Sequence, residues 1–397
     1  MSRIVVLLIA AIAAQAVEPP RAADAREYEL ATQSATLPDP SERLKSLAAW
    51  RSEYPETALE PQRRRLQMQA LQAAGKAAES IAAAEGVLEL EPDDFAAQYL
   101  IASLTPAVAA KDPAAVDKGR RAAQALLESG IHRQFQERPT EVPQTRWAEM
   151  QEQVEGRARL TLGWSALEQE RHAEAERELV ILLEANPTSA QASYWLATAL
   201  LAQKSPDKNN AAFFSLARAA AHTGPGSLPE ADRHSIRDYL EKLYRSYTGD
   251  VEGLDDLLAQ AADQALPPKN MPRILSKEER EAIEEKRRRR SSPKLYVYLD
   301  LRDVLLSDAG AAVWKEFQGK LSPEFELFVL RNEPEQRPLR LFLASRPDGE
   351  VEVVLNLQNR KREPIRKGAR VVVEGVAQSL ETSPFRLTLS DGRVLRQ

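Results

Sequence analysis

LTLGWSALEQERHAEAERELVILLEANP, residues 160 to 187, is the stretch whose reading decides the fold. Apolar side chains recur in it at three- and four-residue spacing, the period of a helix with one buried face. A first helix would bury Leu160, Leu162, Gly163, Ala166 and Leu167, and a second Ala175, Leu179, Leu182 and Leu183. Asn186-Pro187 ends the second, because a proline disfavours helical geometry in the residue before it. From about Ala25 to Ala265 the same Ala, Leu, Glu, Gln and Arg-rich texture continues, broken by turn signals at LPDP (37 to 40), EPDD (91 to 94), NPTS (186 to 189) and TGPGS (223 to 227). This predicts a succession of short helices.

The spacing of residues 160 to 187 resembles a tetratricopeptide repeat. That motif places a small residue on its first helix, an Ala twelve positions on where the helices touch, large apolar residues beyond, and a closing Pro. Gly163, Ala175, Leu179, Leu182 and Pro187 stand at those positions. The next unit is in phase: Ala197 lies 34 residues after Gly163, and Ala212, Leu216 and Ala219 follow after an insertion at KSPDKNN. Upstream, Ser80, Ala84, Val87 and Pro92 fit the second half of a unit and Ile101-Ala102 the first half of the next. IHRQFQERPTEVPQT, 131 to 145, is a connection that breaks the period. The aromatic usual near the start of a unit is displaced, since Arg159 and Ser193 hold that place.

A helix pair of this length cannot bury its apolar face alone, so the resemblance implies a solenoid whose first helices line a concave surface for a protein or peptide. Carried over by position, the groove residues are Arg157, Leu160, Trp164 and Leu167 in one unit and Gln191, Tyr194, Thr198 and Leu201 in the next. The competing reading has Trp164 and Tyr194 packed between adjacent units, since aromatics at helical spacing are more often core. PEADRHSIRDYLEKLYRSYTGDVEGLDDLLAQAADQALPP reads as a terminal capping pair ended by Pro267-Pro268. The acids Asp250, Glu252, Asp255 and Asp256 lack the alternating spacing and central Gly of a calcium loop, and read as a solvated helix start.

The chain has 397 residues, 54 Lys plus Arg against 59 Asp plus Glu, and no Cys. That length suits two or three domains, and the near-balanced charge points neither to a polyanion binder nor to an acidic tail protein. MSRIVVLLIAAIAAQAVEPP has the layout of a secretory signal: one Arg, an apolar run too short to span a bilayer, and small residues around Ala14-Gln15-Ala16. It predicts residues 1 to 16 as a cleaved leader, a mature chain from about Val17, and a periplasmic or secreted location. Without Cys, disulfides, thiol catalysis and lipid attachment to a cysteine are all excluded.

SKEEREAIEEKRRRRSSPK, within an expected linker of 266 to 293, pairs Ser276 with Glu279 as a capping box, then turns from acids to Arg287, Arg288, Arg289 and Arg290. Both ends suit the helix dipole, so the segment reads as a charged spacer helix. From residue 294 the pattern becomes short alternating or β-branched runs: LYVYLDL (295 to 301), FELFVL (325 to 330), LRLFLAS (339 to 345), VEVVLNL (351 to 357), ARVVVEGVA (369 to 377) and FRLTL (385 to 389), with RVLR (393 to 396) as a closing strand. Only Leu306 to Lys320 reads as helix. The expected domain, 294 to 397, is a small antiparallel β-sandwich or barrel. KGARVVVEGVAQSLETSPFRLTL is locally similar to exported OB-fold proteins, in which a Gly bends the strand around the barrel. That family has three or four further strands after such a stretch. Here eight residues remain after Leu389, so these are read as the last two strands. More broadly, the order of leader, repeats, YRSYTGDVEGLDDLLAQA, charged connector and SPFRLTL is similar to a set of exported bacterial repeat proteins without assigned activity.

Between these strands, NRKREPIRKGAR carries Arg360, Lys361, Arg362, Arg366, Lys367 and Arg370 against one Glu. It reads as a solvated loop or as the contact for an anionic wall polymer or lipid surface. No chemistry is legible elsewhere. His132, His172, His222 and His234 are scattered with no paired metal spacing, and neither a nucleophile elbow nor a phosphate loop occurs. No metal or cofactor is expected. The sequence therefore predicts a non-catalytic interaction scaffold binding a protein or peptide through its repeats, with no nucleic-acid partner. The alternative is an envelope-polymer or carbohydrate-binding protein acting through the β-domain.

Overall fold

The computed structural model describes residues 21–108 and 112–397. The expected leader lies outside the described residues. The chain forms two compact units that divide between Ile274 and Leu275.

The first unit is built of antiparallel helix pairs: α1 (Ala25–Thr36) with α2 (Pro40–Glu53), α3 (Glu60–Ala73) with α4 (Ala77–Leu90), and α5 (Phe95–Val108) with α6 (Pro113–Ala125). A π-turn at Leu126–Gly130 leads from α6 into α7 (Ile131–Phe135). Next come α8 (Gln144–Glu168) with α9 (His172–Ala185), α10 (Ala190–Ala202) with α11 (Asn209–Ala221), and finally α12 (Glu230–Thr248) and α13 (Leu254–Asp263), which both pack on α11. Local chemistry sets the helix starts. Asp24, Asp39, Asp112 and Ser189 each accept N–H groups of the first turn, and Pro40 and Pro113 occupy positions that need no N–H bond. At α12 the chain leaves the helix through Gly249, whose φ of 91° is a left-handed cap.

The predicted touching points are present. A Cβ on Gly163 would lie 2.6 Å from Leu179 Cγ, so α8 and α9 approach as closely as the small residue allows. Ser80, Ala84, Val87, Ala175, Leu179, Ala197, Ala212 and Leu216 are all buried. Residues 131 to 135 differ from the expected connection, because they carry the helical path on from α6. Phe135 then packs on Trp147 of α8 with ring centroids 4.7 Å apart. Buried polar ties fix the ends of the solenoid. Glu27 accepts from Trp50 Nε1 at 3.0 Å, and Arg218 donates to Pro187 O at 2.9 Å and to the carbonyls of Ala261 and Ala262.

The second unit starts with α14 (Lys277–Ser291), α15 (Pro293–Leu306) and α16 (Gly310–Phe317). The capping box of Ser276 and Glu279 forms. The helix it starts buries no residue, yet it is not an isolated spacer: Arg289 donates to Asp300 of α15 at 2.9 and 3.0 Å and lies over the Tyr296 ring. LYVYLDL is a correction, since residues 295 to 301 belong to α15 and not to a strand. Their local alternation coincides with a helical stripe that puts Tyr298 and Leu305, two turns apart, into the core. The helix predicted over 306 to 320 reduces to α16.

Five strands follow: β1 (Phe325–Glu333), β2 (Arg340–Ala344), β3 (Val353–Leu357), β4 (Arg370–Thr382) and β5 (Phe385–Arg396). They close into a barrel in the order β1-β2-β3-β5-β4, with β1 antiparallel to β4 and β3 parallel to β5. This is a five-stranded Greek-key closure of OB type, and the sandwich alternative is overturned. Closure is possible because β4 and β5 are long and irregular enough to pair on both sides. The register shifts at Glu374/Val376, where a Cβ on Gly375 would stand 2.9 Å from both Leu389 Cβ and Ser390 O. β4 and β5 are the last two strands, as the remaining length predicts. RVLR is the continuation of β5 and not a separate strand.

The barrel core holds Phe325, Leu327, Leu341, Leu343, Val353, Leu355, Val371, Val373, Leu387 and Leu389. One end is plugged by α15. Tyr298, 1% exposed, meets Phe325 edge to face, and Glu352 ties Arg302 at 2.9 Å to the Ser345 amide at 2.6 Å. Burial raises the Tyr298 hydroxyl far above the ordinary tyrosine value, so this phenol remains protonated. The opposite end is covered by the segment between β3 and β4, whose Ile365 is buried in the same core.

Candidate functional site

In the solenoid, each helix from α1 to α11 packs on the next in the chain, α13 returns to α11, and first helices of neighbouring pairs also meet: α1 with α3, α5 with α8, and α8 with α10. Apart from α11 with the terminal α13, the second helices make no comparable contact among the described residues. First helices therefore lie on the tighter, inner side, as the stacking of a solenoid requires. Two of these first helices, α8 and α10, carry the groove positions read from sequence.

The structure sorts these residues into two groups. Trp164 is a correction: at 4% exposure it is buried against Val116 of α6 with Trp195 of α10 beside it, so it holds neighbouring pairs together. Leu160 and Leu167 are half-buried on the cluster of Leu179, Leu182 and Leu196. Leu201 is half-buried between that cluster and the next. Arg157 and Thr198 are exposed, and Gln191 and Tyr194 are half-exposed. Tyr194 rests one side on the Phe213 and Ala197 cluster, and Thr198 donates to the Tyr194 carbonyl at 3.0 Å. The open part of the groove is thus small and polar: one guanidinium, one amide, one phenol and one hydroxyl across two helix pairs. Val116 escapes a sequence reading because its contact depends on α6 lying across α8.

Two clefts open elsewhere in this unit. One of about 640 Å³ lies among α2, α3 and α4, with Leu47 and Leu71 beside Arg51, Gln67 and Arg64. Arg64 there donates to Glu60 at 2.7 Å and to the Gly86 carbonyl at 2.6 Å, so its charge already serves the fold. The second, about 240 Å³, is flanked by Glu149, Glu152 and Arg159 at the junction of α8 and α9. Arg159 is held by Glu155 and Glu178 at 3.0 and 3.1 Å. Neither cleft brings together a nucleophile with a base. Among the described residues no three acidic or histidine side chains converge as metal ligands, and no helix is long and apolar enough to cross a membrane.

The basic residues between β3 and β4 are placed by the barrel. Arg360, Arg362, Arg366 and Lys367 are exposed and Lys361 half-exposed. Arg370 is a partial correction: it pairs with Glu326 at 3.1 Å and lies over the Phe328 ring, so it belongs to the outer wall of β1 and β4.

No protein-family model and no curated protein sequence matches the chain. Among solved structures, a MamA double mutant (MamA RS-1 ArsTM) is 15% identical, with a TM-score of 0.30, covering 56% of this chain and 96% of its own. A tetratricopeptide repeat protein from Parabacteroides merdae is also 15% identical, with a TM-score of 0.32, covering 60% of this chain and 91% of its own. The fold assignment rests on the helix pairing and the strand order described above.

Proposed function

We propose that the chain is a non-catalytic interaction scaffold of the cell envelope that holds a protein or peptide against the first-helix face of α8 and α10. The observation that carries this reading is the pairing of a closed core with an open polar strip. Trp164, Leu160 and Leu167 are taken up by packing, while Arg157, Gln191, Tyr194 and Thr198 remain available on one face. Side chains of this kind bond backbone groups of an extended segment, and a half-buried Tyr supplies contact area at small entropic cost. The absence of convergent reactive groups in sequence supports a binding role over a catalytic one.

The test is a paired substitution in the full chain. Tyr194→Ala with Thr198→Ala should leave the unfolding temperature within a few degrees and abolish recovery of the partner from envelope extracts. Retained recovery would refute the groove assignment.

A second reading is supported by the loop of residues 358 to 369. A β-domain that presents Arg360, Lys361, Arg362, Arg366 and Lys367 on one loop suits an anionic polymer or lipid of the envelope. In this reading the barrel recognises and the solenoid assembles. Retention of envelope material lost on replacing those cations, with the Tyr194 and Thr198 variant unaffected, would favour it.

A further inference from the structure

The two ends of the barrel are finished in different ways. One is plugged by α15 through Tyr298, and the other is covered by residues 358 to 369. That segment is held along its length. The Lys361 amide donates to Pro338 O at 2.9 Å, Ile365 exchanges two bonds with the Asn332 side chain at 2.8 and 3.1 Å, and the Gly368 amide reaches Val329 O at 2.7 Å. Its five cations, Arg360, Lys361, Arg362, Arg366 and Lys367, are therefore carried on a fixed platform, and none has a carboxylate partner among the described residues. Arginines on the adjoining strands behave differently: Arg340 pairs with Glu333, Arg370 with Glu326 and Arg393 with Glu374.

Two further cations without a carboxylate partner among the described residues flank the platform. Arg331 lies in β1 between Leu330 and Asn332, with its guanidinium 3.9 Å from the centre of the Phe342 ring. Arg337 precedes the Pro338 that accepts from Lys361. In the same two segments the exposed acids without a partner among the described residues are Glu335 and Glu363, so this end is strongly positive on a chain of net charge -5. Among these cations Leu339 is 42% exposed, next to Arg340 and bonded through its backbone to Glu333 and Leu357.

We propose that this end of the barrel docks on an anionic lipid surface, the loop cations meeting head groups and Leu339 entering the interface. The inference deepens the second reading above and rests on it, and leaves the solenoid groove untouched. Two features select a bilayer surface over a soluble polyanion. The cations stand on a loop that closes a barrel end instead of along a channel that would track a polymer. An apolar side chain exposed among them supplies the second signal that lasting surface attachment needs. Attraction of this type falls off within a Debye length and is weakened by salt.

Sedimentation of the full chain with vesicles tests it. Phosphatidylglycerol vesicles should retain the chain at low salt and release it at high salt, and phosphatidylcholine vesicles should not bind. Replacing three charges, R360Q/K361Q/R362Q, should lower the vesicle affinity about a hundredfold. R287Q/R288Q/R290Q on α14, at the other end, should change it little, and Leu339→Ser should shorten retention. Circular dichroism confirms that the variants are folded, and Arg362→Glu alone serves if the triple variant is not. Equal sedimentation of wild type and loop variant, or loss of binding on changing α14 alone, would overturn the proposal. If inorganic polyphosphate binds through the same loop and vesicles do not, the lipid assignment fails while the barrel remains the recognising unit. If neither binds, both fail.

Discussion

In the solenoid Arg63 is buried, donating to the carbonyls of Tyr54 and Pro55 and to Glu60, whereas in the barrel Arg360, Arg362 and Arg366 stand in water without a carboxylate. The same side chain meets two requirements. Stacked helix pairs leave carbonyls at their ends that need donors, and Arg63 and Arg218 supply them from within. A closed barrel has satisfied its backbone by strand pairing, so the charges on its loops are not drawn into capping carbonyls. Substitutions of these buried solenoid arginines should therefore read out as stability, and those of the barrel-loop cations as binding.

The largest effect is expected where a plug is removed. Tyr298→Ala empties the end of the barrel beneath α15 and should cost about 3–5 kcal/mol, seen as a lowered unfolding midpoint for the second unit alone. Next comes Arg218→Met, which keeps much of the volume but leaves the carbonyls of Pro187, Ala261 and Ala262 without their donor. About 2–3 kcal/mol should be lost, localised by hydrogen exchange at the junction of α9, α11 and α13. A smaller effect is set by pH at the start of the solenoid. Burial of Glu27 opposes its charge, but bonds from the Ala23 amide, Thr57 and Trp50 outweigh it and hold the carboxyl below its usual value. Asp24 is lowered chiefly by the Tyr54 hydroxyl, which is in turn pushed up to about 12. A carboxyl lowered in the folded state stabilises above its unfolded pKa of about 4, and that contribution is lost as pH falls through the folded value. Amide exchange in α1 and α2 should thus accelerate below about pH 4 before that of α8 and α9. Glu27→Gln should flatten the difference. Smallest of all, Arg360→Gln or Arg366→Gln should move stability by no more than about 0.5 kcal/mol.

Much of the first unit is legible in its letters because each signal is local. Gly163 and Ala175 mark the approach of α8 and α9, and the 34-residue step to Ala197 gives the stacking its phase. What escapes is set by contacts between pairs. Trp164 occupies a position that faces the groove in the repeat pattern, yet α6 crosses close enough for Val116 to cover it. In the second unit, LYVYLDL satisfies both a strand and a helix period over seven residues. The choice falls to helix, which puts Tyr298 in the barrel core and buries Leu305 two turns further on. Closure of the barrel is likewise invisible locally, since the parallel pairing of β3 with β5 joins residues 34 apart in sequence at Val353 and Leu387. The loop cations are easy to read. That they are fixed in place by Asn332 and Pro338, with Arg331 and Arg337 beside them, is known only from the register of β1 and β2.

The proposed division of labour between an inner groove for a partner and a packed remainder is tested most directly by site-specific photocrosslinking in the full chain. A photoreactive residue at Thr198, exposed on α10, is compared with one at Arg177, exposed on the second helix α9. The account predicts one discrete crosslinked protein from position 198, absent at 177 and abolished by Tyr194→Ala. Crosslinks of equal yield from both positions, or from 177 alone, would contradict it.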